Sequence, residues 1–225
     1  MKRRDFLIGG FGAVAATSAF EQQPAAHYFG ELVLKPLNDT RLMQVQQPFG
    51  YVDGAGNTWA VPSKALCDGA SIPRVFWSII GGPWDGRYRN GSVVHDWFCA
   101  VRTMPWQATH RMFYEAMLTS GTDATLAKTM FLAVRFCGPS WDELTLENSR
   151  ILTRGGTQRL DPPNARNSTS GFTSDSEARD ARTQLVAQFE KLAGEVQSRD
   201  LSASQIEQLV DQHGRQESTA AMLPN

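Results

Sequence analysis

Aromatic residues divide this chain into two unequal parts. All six tryptophans lie between Trp59 and Trp141, whereas Phe172 and Phe189 are the aromatic residues beyond position 150. Because aromatic side chains bury large apolar areas, the main core is expected to form from the first two thirds of the sequence. We therefore predict an α+β domain at residues 27–150 and an appendage after it.

Strand-like alternation of polar and apolar residues characterises the first third of the chain. It is visible in residues 30–37 and 41–46, while residues 49–52 and 58–61 flank a run of turn-forming residues, 53–57. Such a run suits the loop of a hairpin. We predict a small antiparallel sheet of three or four strands.

Helical spacing replaces alternation near Gly91. Apolar residues recur every three or four positions in residues 94–101, and Pro105 separates this helix from a second one that starts near Trp106. A third helix is predicted at about residues 123–136, where a Gly-Pro pair ends it. The sheet should therefore be followed by a three-helix cluster.

The last part of the chain has a different composition. Residues 151–176 are rich in Gly, Pro, Asn, Ser and Thr, which is typical of a flexible linker. Residues 177–225 show helical apolar spacing, and Ser204 with Glu207 resembles a capping box. We predict a helical C-terminal tail that packs on the domain or binds a protein partner.

The N-terminus has the form of an export signal. Arg3 and Arg4 stand just before an uncharged run rich in Gly and Ala, residues 6–20, which is shorter than the roughly 20 apolar residues of a membrane-spanning helix. The arginine pair resembles the twin-arginine signal, which directs export of folded proteins. We predict cleavage after Ala19, removal of residues 1–19, a periplasmic or secreted location and no stable membrane span. An uncleaved anchor or a basic start without function is the alternative.

Charge and cysteine spacing argue against two kinds of site. The formal net charge of -1 provides no basic surface for phosphates, so no nucleic-acid partner is expected. The cysteines Cys67, Cys99 and Cys137 form no C-x-x-C pair, which argues against a structural zinc ribbon. We expect small buried side chains, with a disulfide between Cys67 and Cys99 as the alternative.

A histidine-aspartate pair and an aspartate in a turn are the candidate catalytic or metal-binding residues. His95 and Asp96 are neighbours on a helix, about 100° apart around its axis, so both can border one cleft. If the helices on either side of Pro105 pair in antiparallel fashion, His110 lies at the height of both. The loop that carries Asp68 precedes this helical hairpin and is placed to close over it.

Imidazole and carboxylate groups together suit zinc, and an open coordination position would activate a water molecule. Alternatively, His95 acts as general base while Asp68 and Asp96 hold calcium, in the manner of the His-Asp pair of secreted phospholipases A2. We predict a divalent metal, zinc or calcium, with Asp68, His95, Asp96 and His110 as ligands and with His95 and Asp96 catalytic. The predicted activity is metal-assisted hydrolysis of a cell-envelope substrate, such as peptidoglycan, a peptide or a lipid ester.

Structural roles for the same residues compete with this interpretation. Asp68 is followed by a glycine, and an aspartate there commonly forms a turn. Asp96 can pair with an arginine of the preceding segments, Arg74, Arg87 or Arg89, and His95 can be a hydrogen-bonded core histidine.

Several motifs together resemble a family known as domain of unknown function 1353, found in tailed phages and bacteria. The motifs are Asp68-Gly69-Ala70-Ser71-Ile72-Pro73, Gly81-Gly82-Pro83-Trp84, His95-Asp96-Trp97 and a helix with Phe113-x-x-Ala116-Met117. The resemblance covers roughly residues 30 to 140 and implies no established activity. Members tend to carry an acidic residue at the position of His110. The resemblance adds an alternative function, a non-enzymatic, phage-derived binding or assembly module.

Overall fold

The computed structural model describes residues 25–37, 42–69, 86–154 and 175–216, together with the single positions 76, 80, 81 and 84. The predicted export signal lies outside these residues, as does most of the predicted linker. The described chain has strands first and helices after them, which confirms the α+β prediction.

Two small antiparallel sheets form the N-terminal part. The first has the order β1 (His27–Phe29), β4 (Phe49–Val52), β5 (Thr58–Val61), and the second has the order β2 (Leu34–Pro36), β3 (Met43–Val45), β6 (Leu66–Cys67). All pairings are antiparallel, and β4 and β5 form the predicted hairpin. Alternation thus identified most of the strands, but it does not specify that they divide between two sheets.

Asp53 fixes the turn of the β4–β5 hairpin. Its carboxylate accepts hydrogen bonds from the backbone N–H groups of Ala55 (3.0 Å) and Asn57 (2.8 Å) and from Nε1 of Trp59 (2.9 Å). Burial by itself would raise the pKa of Asp53, but these hydrogen bonds together outweigh it and lower the pKa. The hairpin therefore presents Trp59 to the helices, where its ring meets Phe98 at 4.9 Å.

Six helices follow the strands in the described residues. They are α1 (Arg89–Val101), α2 (Trp106–Thr119), α3 (Ala124–Cys137), α4 (Glu143–Arg154), α5 (Asp175–Ser198) and α6 (Ala203–His213). The first three match the predicted cluster. None of the described helices combines the length and the apolar character that crossing a bilayer requires. The sequence did not predict α4, because few of its residues are apolar and Leu144 is 70% exposed.

Helix α1 occupies the centre of this arrangement. It packs against β4, β5 and β6 on one side and against α2 on the other. The helix ends at Arg102, which adopts the left-handed conformation (φ 53°) and donates its N–H to the carbonyl of Phe98. Pro105 then precedes the first turn of α2, so the two helices form the antiparallel pair that the sequence suggested.

The C-terminal helices pack against α3 and extend its core. Phe189 of α5 is fully buried and lies 4.1 Å from the ring of Phe76, centroid to centroid. The predicted capping box was wrong by two residues, since Ser202 and Gln205 form it. Glu207 forms an ion pair with Arg111 of α2 at 2.6 Å instead. The described part of the tail is thus a packing element.

Substitution Phe189→Ala tests whether α5 belongs to the core. We expect the free energy of unfolding to fall by about 3–5 kcal/mol, because a buried phenyl ring leaves a cavity. Leu144→Ala on exposed α4 is the control and should change it by less than about 0.5 kcal/mol. Urea denaturation of both variants decides the question, and equal stability of the two would show that the tail is dispensable to the fold.

Candidate metal centre and adjoining cleft

Two histidines meet between α1 and α2. Nε2 of His95 and Nδ1 of His110 are 2.8 Å apart, and the ring centroids are 5.0 Å apart. Both side chains are fully buried. The antiparallel pairing of the two helices brings them to the same height, because each residue advances about 1.5 Å along a helix.

Cys99 completes a group of three metal-ligating side chains. It follows His95 by one helical turn, and its Sγ lies 3.5 Å from Nε2 of His95. One ligand atom from each of His95, Cys99 and His110 can be chosen so that all lie within 4.8 Å of one another. A buried thiol was expected at Cys99, and all three cysteines are indeed buried and form no disulfide. Its spacing of four residues from His95 was the signal that could have assigned it to the site.

A backbone carbonyl sets the protonation of the histidine pair. Nε2 of His110 lies 3.0 Å from the carbonyl oxygen of Pro139, which can only accept a hydrogen bond. His110 therefore carries its proton on Nε2 and presents the lone pair of Nδ1 to His95, whose Nε2–H donates to it. A carbonyl that holds the far nitrogen of an imidazole is the usual outer support of a metal-binding histidine.

Burial keeps both imidazoles neutral. The ring of His95 stacks on Phe113 at 4.6 Å, and burial lowers the pKa of His95 to about 3. Burial also lowers the pKa of His110, and the charges of Arg215 and Arg135 act in the same direction. Neutral imidazole is the form that coordinates metal ions.

The two predicted aspartates contact each other. Oδ2 of the buried Asp96 accepts a hydrogen bond from the backbone N–H of Asp68 at 2.7 Å. This contact attaches the loop after β6 to α1. Of the three predicted partners of Asp96, Arg87 and Arg89 donate to backbone carbonyl groups, and Arg74 lies outside the described residues. The metal-binding roles of Asp68 and Asp96 and the catalytic role of Asp96 stay predictions, because the ligand atoms that converge in the described chain belong to His95, Cys99 and His110.

A cleft of about 500 Å³ adjoins the three-residue group, and Trp106 and Trp141 lie between them. The ring of Trp106 contacts His110 at 5.6 Å, and Cys99 packs in an apolar cluster with Trp141. The other residues that line the cleft are Arg102, Ser140, Asp142, Thr145 and Arg215. No sequence pattern identifies this cleft, because its walls come from three distant segments of the chain, residues 102–106, residues 140–145 and Arg215.

Known proteins that are similar to this chain point to the same family, and none of them has a described activity. Residues 43–134 match the model of a family described as "Protein of unknown function (DUF1353)", which confirms the resemblance over that part of the chain. The chain is 40% identical over 151 residues to "Uncharacterized protein y4jT" and 43% identical over 96 residues to "Uncharacterized protein y4iH", both of Sinorhizobium fredii (strain NBRC 101917 / NGR234).

These alignments cover 64% and 43% of this chain. They cover 42% and 40% of the relatives, so the chain spans about two fifths of the length of each. No solved structure matches the chain. The matched family region contains His95, Cys99 and His110.

The buried histidines should make the metal-free protein sensitive to acid. An unfolded histidine takes up a proton near pH 6.5, whereas folded His95 does so near pH 3. The contribution of each such histidine to the free energy of unfolding is therefore fully present above about pH 6.5. It falls by about 1.4 kcal/mol for each pH unit below that. Denaturation in the presence of EDTA from about pH 7 to about pH 4 measures this slope.

Two variants separate this effect from general acid denaturation. His95→Gln should flatten the slope by the contribution of one histidine. His213→Gln, which changes an exposed side chain on α6, is the matched control. A His95→Gln slope equal to that of the wild type would contradict the assignment.

Proposed function

We propose that this protein binds a divalent metal ion, with zinc preferred, through His95, Cys99 and His110. The observation that supports it is the convergence of two imidazoles and one thiol from adjacent helices, with their ligand atoms within 4.8 Å. Nitrogen and sulfur ligands of this kind are those that zinc takes in tetrahedral sites. Calcium, the other predicted ion, requires several oxygen ligands and is disfavoured by this set.

Binding requires two changes of protonation. The proton that His95 shares with His110 must leave Nε2, and the Cys99 thiol must become a thiolate, because only deprotonated groups coordinate. The ion would supply the charge that stabilises the thiolate in this buried place. Metal affinity should therefore rise with pH, and binding should release protons.

The depth of the site favours binding over hydrolysis. A metal ion that catalyses hydrolysis keeps one coordination position open to water and substrate. His95, Cys99 and His110 have no exposed surface, so an ion held by them would have little access to either. Metal-assisted hydrolysis of an envelope substrate stays a prediction from the sequence, as does the alternative of a phage-derived binding or assembly module. Release of product from ester and peptide substrates by the zinc-loaded protein tests the former.

Cobalt(II), a spectroscopic substitute for zinc, tests the proposed ligands. We expect the EDTA-treated full chain to bind one cobalt ion and to develop a thiolate-to-metal charge-transfer band. Cys99→Ser should remove the band, and His110→Gln should weaken binding by more than the roughly 10- to 100-fold that an outer hydrogen-bond partner contributes.

The matched control is Cys137→Ser, because Cys137 is also a buried free thiol but lies outside the converging group. Its band should equal that of the wild type. Asp68→Asn tests the ligand predicted from the sequence and should also keep the band. Circular dichroism confirms folding of each variant. A wild type that binds no cobalt, or a band that survives Cys99→Ser, would refute the proposal.

We further propose that the chain is exported, on the support of its sequence alone, since residues 1–24 lie outside the described structure. The double substitution Arg3→Lys and Arg4→Lys keeps the charge but removes the arginine pair. It should hold the uncleaved precursor in the cytoplasm, as measured by cell fractionation of a C-terminally tagged full chain. Equal export of the double variant and the wild type would exclude the twin-arginine route.

A further inference from the structure

Three arginines converge on the two tryptophans of the cleft. The guanidinium carbons of Arg215 and Arg135 lie 3.8 Å and 4.5 Å from the ring centroid of Trp106. Arg102, which lines the same cleft, lies 5.9 Å from the ring of Trp141. Like charges repel one another in a partly buried place, so this group of cations favours an anion beside it.

The neighbouring acids neutralise this charge only in part. Asp142 lines the cleft and contributes one negative charge, and its carboxylate accepts the N–H of Thr145 at 2.8 Å and so caps α4. Asp211 reaches Nη2 of Arg135 at 3.5 Å, and its side chain is 65% exposed. Nε and Nη1 of Arg135 are buried and lack a hydrogen-bond partner among the described residues. Glu207 also acts on the charge of Arg135, but it is paired with Arg111 at 2.6 Å. Among the described residues, positive charge therefore remains in excess beside the cleft.

Arg215 is held in place before any ligand arrives. Its Nη1 donates to the carbonyl of Arg135 at 2.6 Å, and its Nη2 donates to the carbonyl of Gly138 at 2.8 Å. A guanidinium group has five N–H bonds, so others remain for a ligand. A cation that is already ordered loses little entropy when it binds an anion. Burial and the charge of Arg135 lower the pKa of Arg215 to about 10, which agrees with incomplete neutralisation.

Arg102 shows backbone strain at the same place. Its left-handed conformation (φ 53°) costs roughly 1–2 kcal/mol for a residue with a side chain. A left-handed residue commonly ends a helix, so this conformation places Arg102 where α1 ends, at the rim of the cleft.

From these contacts we propose that the cleft between Arg102 and Arg215 binds a small organic anion with a carboxylate or phosphate group. The cleft has a volume of about 500 Å³ and is open to solvent, so it would contact one side of a small ligand rather than enclose it. The arginines would hold the oxyanion, and the indole of Trp141 would contact the apolar part of the ligand. The site goes beyond the proposed metal binding, because none of the three metal ligands lines the cleft.

Isothermal titration calorimetry of the EDTA-treated full chain tests the site separately from the metal centre. Phenyl phosphate and benzoate are the anionic probes, and benzyl alcohol is the neutral one. We expect saturable binding at one site for at least one of the anions, weaker binding at higher salt, and none for benzyl alcohol. The two anions show which oxyanion the cleft prefers. A wild type that binds neither would overturn the proposal and leave the metal proposal intact.

Ser140→Asp introduces a negative charge at an exposed position of the cleft. It should weaken anion binding at least about tenfold. Ser198→Asp makes the same change at an exposed position at the end of α5 and should have no effect. Equal affinities of these two variants would overturn the proposal.

A second matched pair removes a positive charge instead. Arg215→Gln should weaken anion binding, whereas Arg199→Gln, which breaks only an exposed pair with Glu195, should not. Thermal unfolding shows whether each variant is folded. If Arg215→Gln is unstable, Ser140→Asp still tests the proposal, because it removes no described contact.

Discussion

Helix α1 is buried on nearly every side, so the elements around it must provide partners for the polar side chains that it carries. A helix buried all round is normally apolar, but α1 carries Ser92, His95 and Asp96 on its buried faces. Each needs a partner, since an unpaired buried polar group costs about 1–3 kcal/mol. Ser92 donates to the carbonyl of Tyr88, His95 bonds to α2, and Asp96 accepts the N–H of Asp68. The polar residues of α1 thus determine how the adjacent loop and helix dock.

Neutrality links the structural and the proposed chemical role of the histidine pair. In the metal-free protein the two histidines form a hydrogen-bonded contact in the core, and their lowered pKa values keep both imidazoles neutral. The same neutrality leaves lone pairs for an ion, and the carbonyl of Pro139 already orients His110. Without such a carbonyl, His110 would have no fixed tautomer to offer. The centre is therefore prepared for a metal by interactions that the fold needs in any case.

The sequence predicted those features that depend on spacing along one chain segment. Helical periodicity located α1, α2 and α3, and the rise per residue placed His110 beside His95. The sequence did not predict that Asp96 accepts a hydrogen bond from the backbone N–H of Asp68, because a pattern of side chains does not show which backbone groups they contact. It also did not place Cys99 in the site, since a buried thiol is compatible equally with packing and with coordination. The cleft depends on contacts between distant segments, and no local pattern brings Arg215 to Trp106.

The metal centre and the cleft are close enough for their ligands to affect one another. The charges of Arg135 and Arg215 already act on His110, where they lower its pKa and so disfavour a positive charge. They must disfavour a bound cation for the same reason. An anion in the cleft would offset this positive potential and so strengthen metal binding. Coupling between two equilibria is reciprocal, and a bound metal would therefore strengthen anion binding by the same factor. Trp106, in contact with His110 and with both arginines, is the residue through which the two sites adjoin.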